Sequence, residues 1–96
     1  MTTLKNRVIS IYNRKTSMRL ALEEWTAFDD ICRREGLKRK QLLELIEKNK
    51  SKELGLTGSV RVFTLAYMHQ FAKLSGFNTQ TNKETQNIYQ IFNMIS

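Results

Sequence analysis

The sequence predicts a mostly α-helical fold with one short N-terminal β-strand. Three observations carry this. Residues 16–21, TSMRLA, alternate, with Thr16, Met18 and Leu20 on one side and Ser17, Arg19 and Ala21 on the other; period two is that of a strand with one buried face. From Leu22 the apolar spacing lengthens to three or four residues, the period of a helix. Glycines at 36, 55, 58 and 76, with no proline anywhere, divide the remainder into helix-length blocks.

Taken in order, residues 8–12 (VISIY) are apolar and partly β-branched, and are compatible with a further strand ahead of the alternating one. The first helix is expected over 22–35. Leu22, Trp25, Phe28 and Cys32 form its stripe, with Ile31 beside it. Glu23 and Glu24 suit the positive end of its dipole, Arg33 and Arg34 the negative end, and Gly36 a left-handed terminator. A second helix starts near Lys38 and ends near Asn49, with Leu42, Leu43, Leu45 and Ile46 as its apolar face. A basic linker, KSKELGL, leads to a third helix, capped by Thr57 or Ser59 and ended by Gly76. That helix is apolar on most sides, as buried helices are, and a place between the two copies of a dimer would bury it. Thr81 with Glu84 matches a capping box, and Ile88, Ile91, Phe92 and Ile95 mark a terminal helix. The expected organisation is a domain over 1–75 and a C-terminal tail or helix over 76–96.

Sixteen Lys and Arg against nine Asp and Glu give a net charge of +7, and the cations are clustered. Residues 1–20 hold five of them with no acid, Arg33 to Lys40 hold a second group, and Lys48, Lys50 and Lys52 a third. Clustered positive charge points to a polyanion, nucleic acid before membrane; the plainer alternative is a solubilising surface. The single cysteine, Cys32, excludes an internal disulfide and fits a reducing cytosol. The chain shows no apolar leader and no membrane-length apolar run, so a cytoplasmic protein is expected. Its size and style are those of bacterial, phage or plasmid proteins.

Signals for catalysis are poor. His69 stands alone on an apolar helix and Cys32 lies in the apolar stripe of the first helix. No His, Cys and carboxylate cluster has metal-ligand spacing, and the glycines form no phosphate loop. An enzyme, a metal site and a cofactor are therefore not expected.

A lone strand leaves its backbone groups unsatisfied. Pairing with the same strand of a second copy solves this and makes an antiparallel ribbon with helices over its apolar face. The other face then presents Lys15, Ser17 and Arg19 twice, about a two-fold axis. Such a ribbon fits the major groove of B-DNA, where Arg meets guanine O6 and N7, Ser several acceptors, and Lys guanine or phosphate.

The stretch KTSMRLALEEWTAFDDICRREGLKRKQLLELI resembles the ribbon-helix-helix family of DNA-binding regulators: an alternating strand, a helix at once, a glycine turn and a second apolar helix. LTGSVRVFTLAYMHQFA is similar to the third helix of a subgroup that carries one. Together the likeness spans about residues 8–75. It implies an intertwined homodimer that binds double-stranded DNA sequence-specifically, as repressor or activator, with assembly beyond one dimer on DNA left open. It assigns base contacts to Lys15, Ser17 and Arg19. It assigns phosphate contacts to the start of the second helix, here Lys38, Arg39 and Lys40. Many relatives carry Ser or Thr where this chain has Lys38, so side-chain charge takes over from an amide clamp. Arg14 falls out of phase with the base-reading row and is assigned to phosphate.

Each assignment has a plainer alternative: a solvated strand face for Lys15 and Arg19, surface charge for Lys38 to Lys40. Two other readings stay open. In a helix-turn-helix, the second helix would enter the groove through Lys38, Arg39, Gln41 and Glu44, and residues 15–21 would be a dispensable tail. In an antitoxin or adaptor, residues 82–95 would dock a protein partner.

Overall fold

The computed structural model describes residues 3–77 and 88–95. Two strands, β1 (Leu4–Ile11) and β2 (Arg14–Ala21), are followed by α1 (Leu22–Glu35), α2 (Arg39–Asn49), α3 (Leu56–Phe77) and α4 (Ile88–Ile95).

The strands form an antiparallel hairpin within one chain, pairing Ile11 with Arg14, Val8 with Ser17 and Leu4 with Ala21. Strand β2 was expected to find its partner in a second copy; here β1 satisfies one of its edges. The turn makes this possible. Tyr12 and Asn13 both adopt positive φ, 49° and 64°, the pattern of a type I′ turn whose twist matches that of the strands. Asn tolerates this region; Tyr is uncommon there and is held. The Tyr12 amide donates to the Glu44 carboxylate at 2.9 Å, and its hydroxyl to the Glu44 carbonyl at 3.1 Å. The hairpin is thereby tied to the middle of α2.

One face of the hairpin is the floor of the core. Ile9, Ile11, Met18 and Leu20 are buried there, against Trp25, Phe28 and Ile31 of α1 and Leu42, Leu43 and Ile46 of α2. Helix α1 begins at once because Ala21 is its N-cap, in extended backbone, with its amide donating to the Glu24 carboxylate at 2.7 Å. It ends as expected at Gly36, whose φ of 68° is left-handed, with the Leu37 amide returning to the Cys32 carbonyl.

Three expectations change. Leu22 lies outside the core, 45% exposed, because it precedes the turn of α1 that meets the sheet. Helix α3 starts at Leu56, one residue after Gly55, whose carbonyl accepts from the Ser59 amide, and it continues past Gly76. A glycine inside a helix weakens it by only about 1 kcal/mol, which packing overrides. Within the single chain, helix α3 turns one side to the core and leaves the other open. Val60, Phe63 and Tyr67 enter the core, while Val62 and Leu65 are 37% and 71% exposed. Finally, Ile88, Ile91 and Phe92 of α4 are buried in the same core, with Phe92 stacked on Phe63 at 5.0 Å. This part of the stripe expected to meet a protein partner is occupied by the chain itself; Thr81 and Glu84 lie outside the described residues.

Candidate nucleic-acid interface

The hairpin separates two sets of side chains by strand parity. On the face away from the helices, β2 presents Lys15, Ser17 and Arg19, all exposed. The three sequence-assigned base-contact residues therefore share one row, as their spacing requires. Directly opposite, β1 presents Ser10, Val8 and Asn6, paired with Lys15, Ser17 and Arg19 in that order. Val8 is 71% exposed. This second row was missed in the sequence because residues 8–12 look uniformly apolar; the Tyr-Asn pair between two strand-like runs is the signal that could have found it.

The Lys15 and Arg19 side chains have no hydrogen bond, ion pair or ring contact among the described residues, and the same holds for Arg14, Lys38 and Lys40. Arg14 is exposed at the start of β2, out of phase with the row. The other arginines are engaged. Arg7 lies over the Trp25 ring at 4.6 Å and 3.7 Å from Asp29. Arg33 pairs with Asp30 and Arg34 lies over Phe71 at 3.7 Å. Arg61 pairs with Glu24 at 3.1 Å and donates to the Arg19 carbonyl at 3.3 Å.

Arg39 belongs with this second group. It forks onto both Asp29 oxygens at 2.9 Å and sits 5.6 Å from the Trp25 ring. Beyond its assignment as a phosphate contact, its guanidinium ties α2 to α1. The bidentate geometry suits Arg and carboxylate, and Trp25 offers a cation-attracting face between two arginines. Lys38 and Lys40, by contrast, are exposed at the start of α2. Lys38 is the N-cap, with its amide donating to Gln41 Oε1 at 2.7 Å and no side-chain cap. The positive end of the α2 dipole is therefore open to an anion, with lysines beside it. In the third basic cluster, Lys50 caps the loop by donating to the Leu54 carbonyl at 3.0 Å.

The edge of β2 remote from β1 has its own logic. The Ala21 amide goes to Glu24 and the Arg19 carbonyl accepts from Arg61. Odd residues of β2 thus turn their backbone groups away from β1, and by antiparallel alternation Lys15 and Ser17 do likewise. Beyond this edge, an open groove between α1 and α3 is lined by Ala27, Val62, Leu65 and Met68, with Glu24 and Arg61 at its rim.

Burial, with Asp29 nearby, pushes the Cys32 thiol up to about 11, so it is a thiol rather than a nucleophile at neutral pH. Burial and the bond to Glu35 at 2.6 Å push the Tyr67 hydroxyl up to about 12. Among the described residues no three His, Cys, Asp or Glu side chains gather as a metal site. No helix of the described residues is long and apolar enough to cross a membrane.

A family model described as a ribbon-helix-helix domain matches residues 4–68, from the start of β1 into α3. No curated protein and no solved structure matches the chain.

Proposed function

The chain belongs to the ribbon-helix-helix domain family, and on that premise we propose that it is a sequence-specific transcriptional regulator that reads the major groove of double-stranded DNA as a homodimer. Such domains are typically non-enzymatic and bind DNA as dimers. The observation that carries the proposal is the division of cations on the hairpin. Arg7 on the inner side is held by Trp25 and Asp29, while Lys15 and Arg19 point away from the helices with Ser17 between them. A side chain of Arg costs entropy to order and is surrounded by water when nothing holds it; a row of them on a strand face is suited to base edges and phosphates. Lys15, Ser17 and Arg19 are the base contacts, and Arg14, Lys38 and Lys40 the phosphate contacts. Arg39 supports that helix end from behind.

The second copy pairs through the open edge of β2. With Ser17 on the two-fold axis, Lys15 of one copy faces Arg19 of the other, and the reading ribbon becomes the centre of a four-stranded sheet, β1 outermost. Arg61 leaves room, since a carbonyl accepts two hydrogen bonds. The apolar groove of α1 and α3 continues from that edge, and its exposed Leu65 gains cover from a second copy. The strand pairing of β2 favours this geometry over a helix-turn-helix, in which residues 15–21 would be dispensable. The burial of Ile88, Ile91 and Phe92 in their own chain weighs against a toxin-binding tail. Repression or activation follows from where the operator lies relative to a promoter.

The test begins with selection of bound fragments from random DNA, followed by titration at several salt concentrations. A dimer neutralising about six to ten phosphates loses roughly a thousandfold or more in affinity between 50 and 200 mM salt. Arg19→Ala loses about 1–3 kcal/mol per base contact and relaxes preference at one position of each half-site. Unchanged specificity in Arg19→Ala, or binding insensitive to salt, rules the proposal out.

A further inference from the structure

Strand β1 supplies a second reading row, and this deepens the DNA-reading proposal on which it rests: we propose that Val8 contacts the C5-methyl group of a thymine in each half-site. The hairpin puts Asn6, Val8 and Ser10 on the same outer face as Arg19, Ser17 and Lys15, each directly across from its partner. Opposed Cβ atoms in an antiparallel pair lie about 4.5–5.5 Å apart, so a surface that touches Ser17 comes within a side chain's length of Val8. Val8 is an aliphatic side chain in the middle of a polar, cationic face, 71% exposed. The helices cannot cover it, because they pack on the opposite face, where Ile9, Ile11, Met18 and Leu20 are buried.

The position matches the chemistry of the groove. Strands in a sheet are about 4.8 Å apart, so in a dimer paired through β2 the β2 rows sit about 2.4 Å from the two-fold axis and the β1 rows about 7 Å from it. The major groove is about 12 Å wide. The β2 rows therefore lie over its centre and the β1 rows over its walls. Thymine carries its methyl on the wall side of O4, and that methyl is the apolar landmark of the major groove. Val is stiff at χ1, so its two methyls are held in place rather than searching. Asn6 and Ser10 flank it at the same wall, where sugar and phosphate oxygens accept hydrogen bonds that these two side chains, unlike Val8, can donate.

The experiment uses the operator recovered by selection and replaces single thymines by deoxyuracil, which deletes the methyl and leaves every hydrogen-bonding group. For the wild-type chain, uracil at one position in each half-site weakens binding about fourfold per methyl, the value of one buried methyl-sized group. In Val8→Ala that thymine preference disappears while the salt dependence stays that of the wild type, since Val8 carries no charge. Val8→Thr, which keeps the branched shape and strand propensity, retains part of the preference and serves if the alanine variant fails to fold. Uracil tolerated at every position by the wild type overturns the inference, and so does a thymine preference that survives in both variants. If those results appear while Arg19→Ala still relaxes specificity, the inference alone falls. If no DNA is bound with salt-dependent affinity, the reading of the whole face falls with it.

Discussion

The two faces of the hairpin use the same residue types for opposite ends. On the inner face Arg7 meets an aromatic ring and a carboxylate, and Met18 and Leu20 are fully packed. On the outer face Arg19, one residue from each of them, meets nothing among the described residues with its side chain. Strand parity alone makes the difference. Basic charge by itself therefore says little about a binding surface; what counts is whether the fold has already neutralised it. Trp25 shows the cost of inner placement. It is buried, its Nε1 donates to the Lys5 carbonyl at 2.9 Å, and Arg7 and Arg39 both lie near its ring. The cluster of Arg7, Trp25, Asp29 and Arg39 binds β1, α1 and α2 together, so three elements depend on its charges.

The sharpest way to break this comparison is to exchange neighbours across the parity. Met18→Ala removes a side chain that is 2% exposed and is expected to cost about 2–5 kcal/mol. Ser17→Ala, one residue away on the outer face, should stay within about 0.5 kcal/mol while altering base preference. Chemical denaturation of the two variants, together with binding at fixed salt, checks both halves. A large stability loss in Ser17→Ala would contradict the assignment of the outer face.

Next in size is Asp29→Ala, which leaves two arginines without their shared carboxylate. Asp29 and Arg39 are 38% and 40% exposed, so solvent screens the pair and the expected loss is about 1–2 kcal/mol. Melting temperature reads it directly. The loss should be matched by Arg39→Ala and not by Lys40→Ala, which is one residue along α2 and exposed. If Arg39→Ala instead leaves stability untouched and weakens DNA binding, phosphate contact rather than the tie to α1 is its main role.

How much of this was legible in the sequence follows from which forces act locally. The bounds of α1 were readable because its stripe, its charged ends and its glycine stop are all encoded within the segment. The row of Lys15, Ser17 and Arg19 was readable because period two is local as well. The hairpin was not. Its turn is Tyr12-Asn13 rather than an Asn-Gly or Asp-Gly pair, and what holds Tyr12 at positive φ is Glu44, far along the chain. The engagement of Arg39 was hidden for the same reason, since its partners lie on another helix. Leu22 was misplaced because a helical stripe does not say where the helix first touches the sheet.

The core also sets a pH limit. Cys32 and Tyr67 have their pKa values raised on folding, from 9.0 to about 11 and from 10.0 to about 12. Folding thus favours their neutral forms. Below the unfolded values this makes no difference; as pH rises through 9 to 12 the unfolded chain loses protons first and gains relative stability. The melting temperature should fall over that window, and Cys32→Ala should remove the lower part of the fall. The same burial protects the thiol, so alkylation at neutral pH should proceed only as fast as the protein opens.

The smallest expected effect sharpens the comparison most, because at Lys38 the two demands meet in one residue. As the N-cap of α2, Lys38 offers no side-chain acceptor, and Ser in its place should stabilise the helix by about 0.5–1 kcal/mol. As an exposed cation at the positive end of the dipole, it should hold a phosphate, and losing it should lower the salt-dependence slope by about 0.9 per contact in each copy. Lys38→Ser is therefore expected to melt higher and bind DNA more weakly, with base preference unchanged. A variant that melts higher and binds with the wild-type salt slope would return Lys38 to the solvated surface. A variant that binds equally well with a reduced slope would mean that the freed amides of α2 grip the phosphate once a serine orders the cap.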